Sequence, residues 1–191
     1  MPTPQWSPAV VLVDADYLDA VAFDLTVNFE RILGRRVPQA DLSRWLDCVA
    51  LDGGLRPGHN EVQALFLHSG EHDALKYFTP GHYRDELDGK AFQDNLGEFT
   101  LQAFPVEEVV SKADFYVESL GLLLSSPDVK RIMVVADMAA YGEAVKRACA
   151  PVRDKDITLF AMEPLTGRGF AQELLGYSLM AALGIKGEEL G

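Results

Sequence analysis

Residues 9–16 read Ala9-Val10-Val11-Leu12-Val13-Asp14-Ala15-Asp16. The first five side chains are apolar without a break, and three are valine. A strand with one wet face alternates polar and apolar residues; an unbroken run belongs to a strand covered on both faces, as in the interior of a parallel sheet. Directly after it the period changes. Leu18, Val21, Ala22, Leu25, Phe29, Ile32 and Leu33 fall on one side of a helix over 16–33, and Gly34 is its stop signal. A buried strand feeding straight into an amphipathic helix is the first half of a βαβ unit.

The pattern repeats outward along the chain. Short runs rich in apolar side chains recur at 61–68 (EVQALFLH), 98–104 (EFTLQAF), 131–136 (RIMVVA) and 156–162 (DITLFAM). Helical periods lie between them and beyond, at 41–51, 107–125, 141–150 and 169–183. Strands alternating with helices imply crossover connections, so a mostly parallel sheet with helices on both faces is expected. The predicted fold is a single three-layer α/β/α sandwich over residues 1–191, with a central five-stranded sheet, a core at about 9–165 and a C-terminal helical tail at 166–191. Residues 69–97 fit least well. They are polar and rich in Gly, His, Asp and aromatics, and read as a partly helical excursion over one sheet edge.

Composition narrows the function. The chain has 191 residues, 48 % of them hydrophobic and 24 % charged, which excludes disordered and collagen-like classes. No apolar run is long enough to span a membrane, and the start lacks the basic flank of a signal peptide. The two cysteines, Cys48 and Cys149, form no pair motif, so reduced structural thiols and a cytoplasmic setting are expected. The net charge of −12 argues against an extended basic face for duplex DNA. It leaves room for an acidic pocket working through a cation.

In an open parallel sheet, ligands sit at the edge formed by the strands' C-terminal ends. The first buried run ends at Asp14-Ala15-Asp16 and the fourth at Asp137. Asp114 lies in the helix after the third run, and Glu118, four residues on, shares its face. Carboxylates gathered this way repel one another unless a hard cation such as Mg²⁺ or Mn²⁺ joins them. The plainer reading of Asp14 and Asp137 is that each caps the helix that follows.

These residues carry a resemblance. Asp14-Ala15-Asp16-Tyr17-Leu18 after a buried strand, Ser111-Lys112-Ala113-Asp114, and Val134-Val135-Ala136-Asp137-Met138-Ala139-Ala140-Tyr141 together resemble the successive motifs of the NYN domain family of the PIN-like nuclease superfamily. The likeness runs over roughly residues 9–165. It implies strand order 3-2-1-4-5 and metal-dependent hydrolysis of RNA phosphodiesters. Asp14, Asp114 and Asp137 match the family's acids, which would hold Mg²⁺ or Mn²⁺, with Asp16 or Glu118 assisting. Ala139 departs from the pattern, standing where the family has a further acid, and Tyr17 replaces its Asn. The departures open an alternative, a catalytically degenerate binding or interaction module. A second alternative, a HAD-like phosphohydrolase, takes Asp14 as nucleophile and Asp16 as general acid.

Other features read as structure. His59, His68, His72 and His82 lie close in sequence, and His68-x-x-x-His72 has a zinc-like spacing. Gly70 breaks any helix there and no cysteine is near, so they read as loop histidines. Lys76-Tyr77-Phe78 and His82-Tyr83-Arg84 mix cations with aromatics as single-strand binders do, but read first as a loop anchored by two aromatics. Ser7 and Ser69 have no evident His–Asp framework. The apolar tail predicts burial in the monomer, with a homodimer as the further expectation.

Overall fold

The computed structural model describes residues 6–107 and 111–190. Its main sheet is built from β1 (Ala9–Asp14), β3 (Asn60–Ser69), β5 (Ala91–Asp94), β6 (Gly97–Val106), β7 (Arg131–Val135), β8 (Asp156–Ala161) and β9 (Ala171–Leu174). Their order is β5-β6-β3-β1-β7-β8-β9, parallel throughout except for the β5–β6 hairpin. A separate two-stranded pair joins β2 (Ala40–Asp41) to β4 (Phe78–Thr79). Five helices flank the sheet among the described residues: α1 (Ala15–Leu33), α2 (Leu42–Asp52), α3 (Lys112–Leu124), α4 (Met138–Cys149) and α5 (Leu175–Ala182).

The unbroken apolar run of β1 has the cause its pattern predicts. Val11 and Val13 pack with α1, α2 and α5 on one face, while Val10 and Leu12 pack with α3 and α4 on the other; all four are fully buried. β1 pairs in register with β3 on one side and β7 on the other, placing its C-terminal end in the middle of the edge where helices begin.

Seven strands replace the expected five. β5 is short and half-exposed, so no apolar run announces it. β9 was expected to be helix: the period over 169–183 holds only for α5, while Ala171–Leu174 pairs with β8. The tail is therefore part of the sandwich. Leu175, Leu179 and Leu183 are buried, and Trp45 Nε1 donates to Ser178 Oγ at 3.1 Å across the α2–α5 contact. The helix expected over 141–150 begins earlier, at Met138. The one expected over 107–125 begins at Lys112, and residues 108–110 of that expectation lie outside the described residues.

The excursion over 69–97 contains β4, a π-type turn at Tyr83–Leu87, and β5. Phe78 and Tyr83 are buried, so two aromatics do anchor it. Acidic side chains tie it to the sandwich, one from α1 and one from the excursion itself. Asp19 accepts from the N–H groups of Lys76 and Tyr77, both at 3.0 Å, and Asp88 accepts from Ala103 N–H at 3.0 Å. Part of the acid excess is thus spent on backbone donors that would otherwise lack partners. Among the described residues no helix is long and apolar enough to cross a membrane.

Candidate functional site

Asp14 ends β1 and begins α1. Its Oδ1 accepts from Tyr17 N–H at 3.2 Å, the N-cap bond that the helix start demands. The side chain is almost wholly buried, at 1 % exposure, and both oxygens have further partners. Tyr141 donates its hydroxyl to Oδ2 at 2.6 Å, and Lys112 Nζ lies 3.3 Å from Oδ1. Tyr141 reaches it from an interruption in α4, where its own backbone leaves helical geometry (φ −138°, ψ 25°). Burial, and then the Asp14 charge, push the Tyr141 phenol far above its ordinary range. It therefore stays a hydrogen-bond donor.

Asp16, the second residue of α1, is held by three donors. Ser69 N–H lies 2.9 Å from Oδ2, Lys112 Nζ 3.0 Å from the same oxygen, and His72 Nδ1 2.9 Å from Oδ1. Partial burial alone would raise its pKa. The bonds from His72, Lys112 and Ser69 outweigh that, and the carboxyl sits below its usual 3.8. Lys112 is affected conversely. Burial works to lower it, yet the adjoining Asp14 and Asp16 charges hold it above its ordinary value. The centre is thus an ammonium bridging two carboxylates from a strand end and a helix start. Ser111 caps α3 by accepting from Asp114 N–H at 3.0 Å, which aims the first residue of that helix at the sheet edge.

The remaining candidate acids lie elsewhere. Asp137 caps α4, accepting from Ala140 N–H at 3.1 Å. It is linked to the centre through Tyr141, whose N–H donates to its carbonyl at 3.0 Å, and its charge reaches Tyr17, whose phenol is pushed up to about 12 by burial, then by Asp137 and Asp14. Asp114 and Glu118 are exposed on α3 and join no contact with Asp14 or Asp16. Among the described residues no three His, Cys, Asp or Glu side chains form a group that could hold a metal ion. The donor set does not fit a divalent cation: Asp14 has both oxygens engaged, and the position between it and Asp16 is taken by Lys112.

Sequence reasoning placed Asp14 and Asp16 together and missed two members of their network. His72 read as an ordinary loop histidine, because its partner lies 56 positions away. Lys112 carried only a motif resemblance; its place beside Ser111, a capping residue opening an apolar helix after a strand, was the available signal. Both cysteines are free, and burial pushes the Cys149 thiol up to about 11.

No curated protein and no solved structure matches the chain. The profile of a family of unknown function, DUF6621, matches residues 3–190, nearly the full length, and the chain belongs to that family.

Proposed function

We propose that this chain is a PIN-like α/β domain acting as a binding module, its carboxylate centre closed by its own lysine. The observation that carries the reading is Lys112 Nζ at 3.3 Å from Asp14 and 3.0 Å from Asp16. An ammonium and a divalent ion compete for the same oxygens, and this ammonium is tethered to the fold. Exposed Ala139 on α4, where the resemblance calls for an acid, supports the same reading. The PIN-like part is supported by the five runs legible in the sequence, which lie as β6-β3-β1-β7-β8, with β5 and β9 added at the edges. RNA is the ligand class that the resemblance carries over.

Calorimetric titration with Mn²⁺, paired with RNA incubation, tests the proposal. The expected outcome is no sub-millimolar Mn²⁺ site and intact RNA. A sub-millimolar site with cleavage that stops in EDTA and in Asp14→Asn would overturn it. That result would favour the other reading, a Mg²⁺- or Mn²⁺-dependent ribonuclease using Asp14, Asp114 and Asp137.

A further inference from the structure

Beside the carboxylate centre, a cleft of about 620 Å³ opens among the C-terminal ends of β3 and β6 and the π-type turn. His68, His72, His82 and Arg84 border it. Hydrogen-bond partners assign the tautomers of two of these rings. His72 Nδ1 faces the Asp16 carboxylate, which Ser69 and Lys112 also hold, so Nδ1 carries a hydrogen and, in the neutral ring, Nε2 is the nitrogen with the lone pair. His82 is the reverse: its Nδ1 accepts from Asp85 N–H at 3.2 Å, so the hydrogen is on Nε2. One cleft is thus bordered by an oriented proton acceptor, a proton donor and a guanidinium.

We propose that this cleft hydrolyses small uncharged carboxylic esters, with His72 as the general base and Asp16 as its positioning residue. The substrate class follows from charge. Asp73, Asp85 and Asp88 border the same cleft, and the chain carries −12, so a phosphate ester is repelled on entry. A neutral ester meets no such barrier. Its negative charge appears on the carbonyl oxygen only at the tetrahedral stage, where Arg84 and His82 Nε2–H are the available donors. In the reaction, His72 Nε2 takes a proton from water as the water oxygen bonds to the acyl carbon and the carbonyl π pair moves to oxygen. On collapse the C–O bond to the alcohol breaks, and the departing alkoxide takes the proton back from the His72 imidazolium. Acid and alcohol leave, and the enzyme is unchanged. The inference goes beyond the binding-module reading and does not depend on it, since it uses neither Asp14 nor a metal ion.

The test is hydrolysis of p-nitrophenyl butyrate by the full chain in EDTA, against free imidazole at equal concentration. Saturable turnover about 100-fold faster than imidazole is expected. His72→Gln should lose that excess; the side chain is 53 % exposed, so the fold is retained. Asp16→Asn should lower kcat more than it raises KM and shift the pH profile, whereas His59→Gln, an exposed loop histidine outside the cleft, should leave the rate unchanged. A wild-type rate no greater than that of imidazole, or full activity in His72→Gln, would overturn the proposal. Should Asp16→Asn fail to fold, the His72 comparison decides alone.

Discussion

Replacing Lys112 by methionine keeps the length of the side chain and removes its charge. In the wild type that charge lies against Asp14, at 1 % side-chain exposure, and Asp16, at 13 %, while Lys112 itself is 31 % exposed. Breaking a fully buried pair costs about 3–5 kcal/mol, and an exposed pair contributes about 0–1 kcal/mol. Lys112 sits between these cases. Water can enter beside Asp16 but not behind Asp14, so about 2 kcal/mol of destabilisation is expected. For a chain of this size that lowers Tm by about 4–8 °C. The deficit should depend on pH with a defined sign. The folded pKa of Asp16 is below 3.8, so its contribution is fully present above that value and is lost as pH falls through the folded pKa. Lys112 is one cause of the lowering, so the gap between the two proteins should narrow as pH falls from 3.8 toward the folded pKa. Millimolar Mn²⁺ should raise the Tm of the variant and not of the wild type, because only the variant leaves both carboxylates without their cation. Thermal melts followed by circular dichroism at pH 7 and pH 3, with and without Mn²⁺, measure all of this. A Tm within about 1 °C of wild type at pH 7 would refute the reasoning, as would Mn²⁺ stabilising both proteins equally.

Tyr141→Phe removes the donor to Asp14 Oδ2 and leaves a buried carboxylate oxygen unsatisfied, so urea denaturation should show a loss of about 1–3 kcal/mol. Asp47 lies near Asp94; burial, then that neighbour, raise its carboxyl from 3.8 to about 7. The folded state therefore holds a proton that the unfolded state releases, and stability falls as pH rises from 3.8 through about 7. Asp47→Asn should stabilise the protein at pH 8 by on the order of 1 kcal/mol, a figure already discounted for the half-exposed side chain. It should have no effect at pH 3, and Tm measured against pH checks both arms. Gly97 opens β6 at φ +140°, where an added Cβ would overlap the Asn60 carbonyl. Gly97→Ala should cost about 2 kcal/mol or more and be visible as a lowered urea midpoint.

The interior of the fold was legible because its cause is local. A strand covered on both faces must be apolar along its covered length, and residues 9–13 and 132–135 say so in their own side chains. Capping by Asp14 and Asp137, the plainer reading of both, was legible for the same reason: an acid at a strand-to-helix turn satisfies nearby backbone donors, whatever surrounds it, although the helix after Asp137 was expected only from 141. The edge strands β5 and β9 were not legible. An edge strand buries little, so Gln93 or Gln172 in a strand looks like the same residue in a turn.

The candidate site divides along the same line. That Asp14 and Asp16 leave the central strand side by side follows from adjacency in the chain. Which positive charge meets them does not. Lys112 is separated from them by 96 and more positions, and His72 by 56 from its partner. Nothing in either neighbourhood marks the pairing. It arises because β3 and β6 stack in register beside β1, so that the loop after one and the helix after the other arrive at the same edge. Coulomb attraction acts over a few ångströms of space and is indifferent to distance along the polypeptide. Acids at the end of the central strand follow from residues 9–16 alone; a lysine of the same chain stands between them because β1, β3 and β6 pack side by side in one sheet.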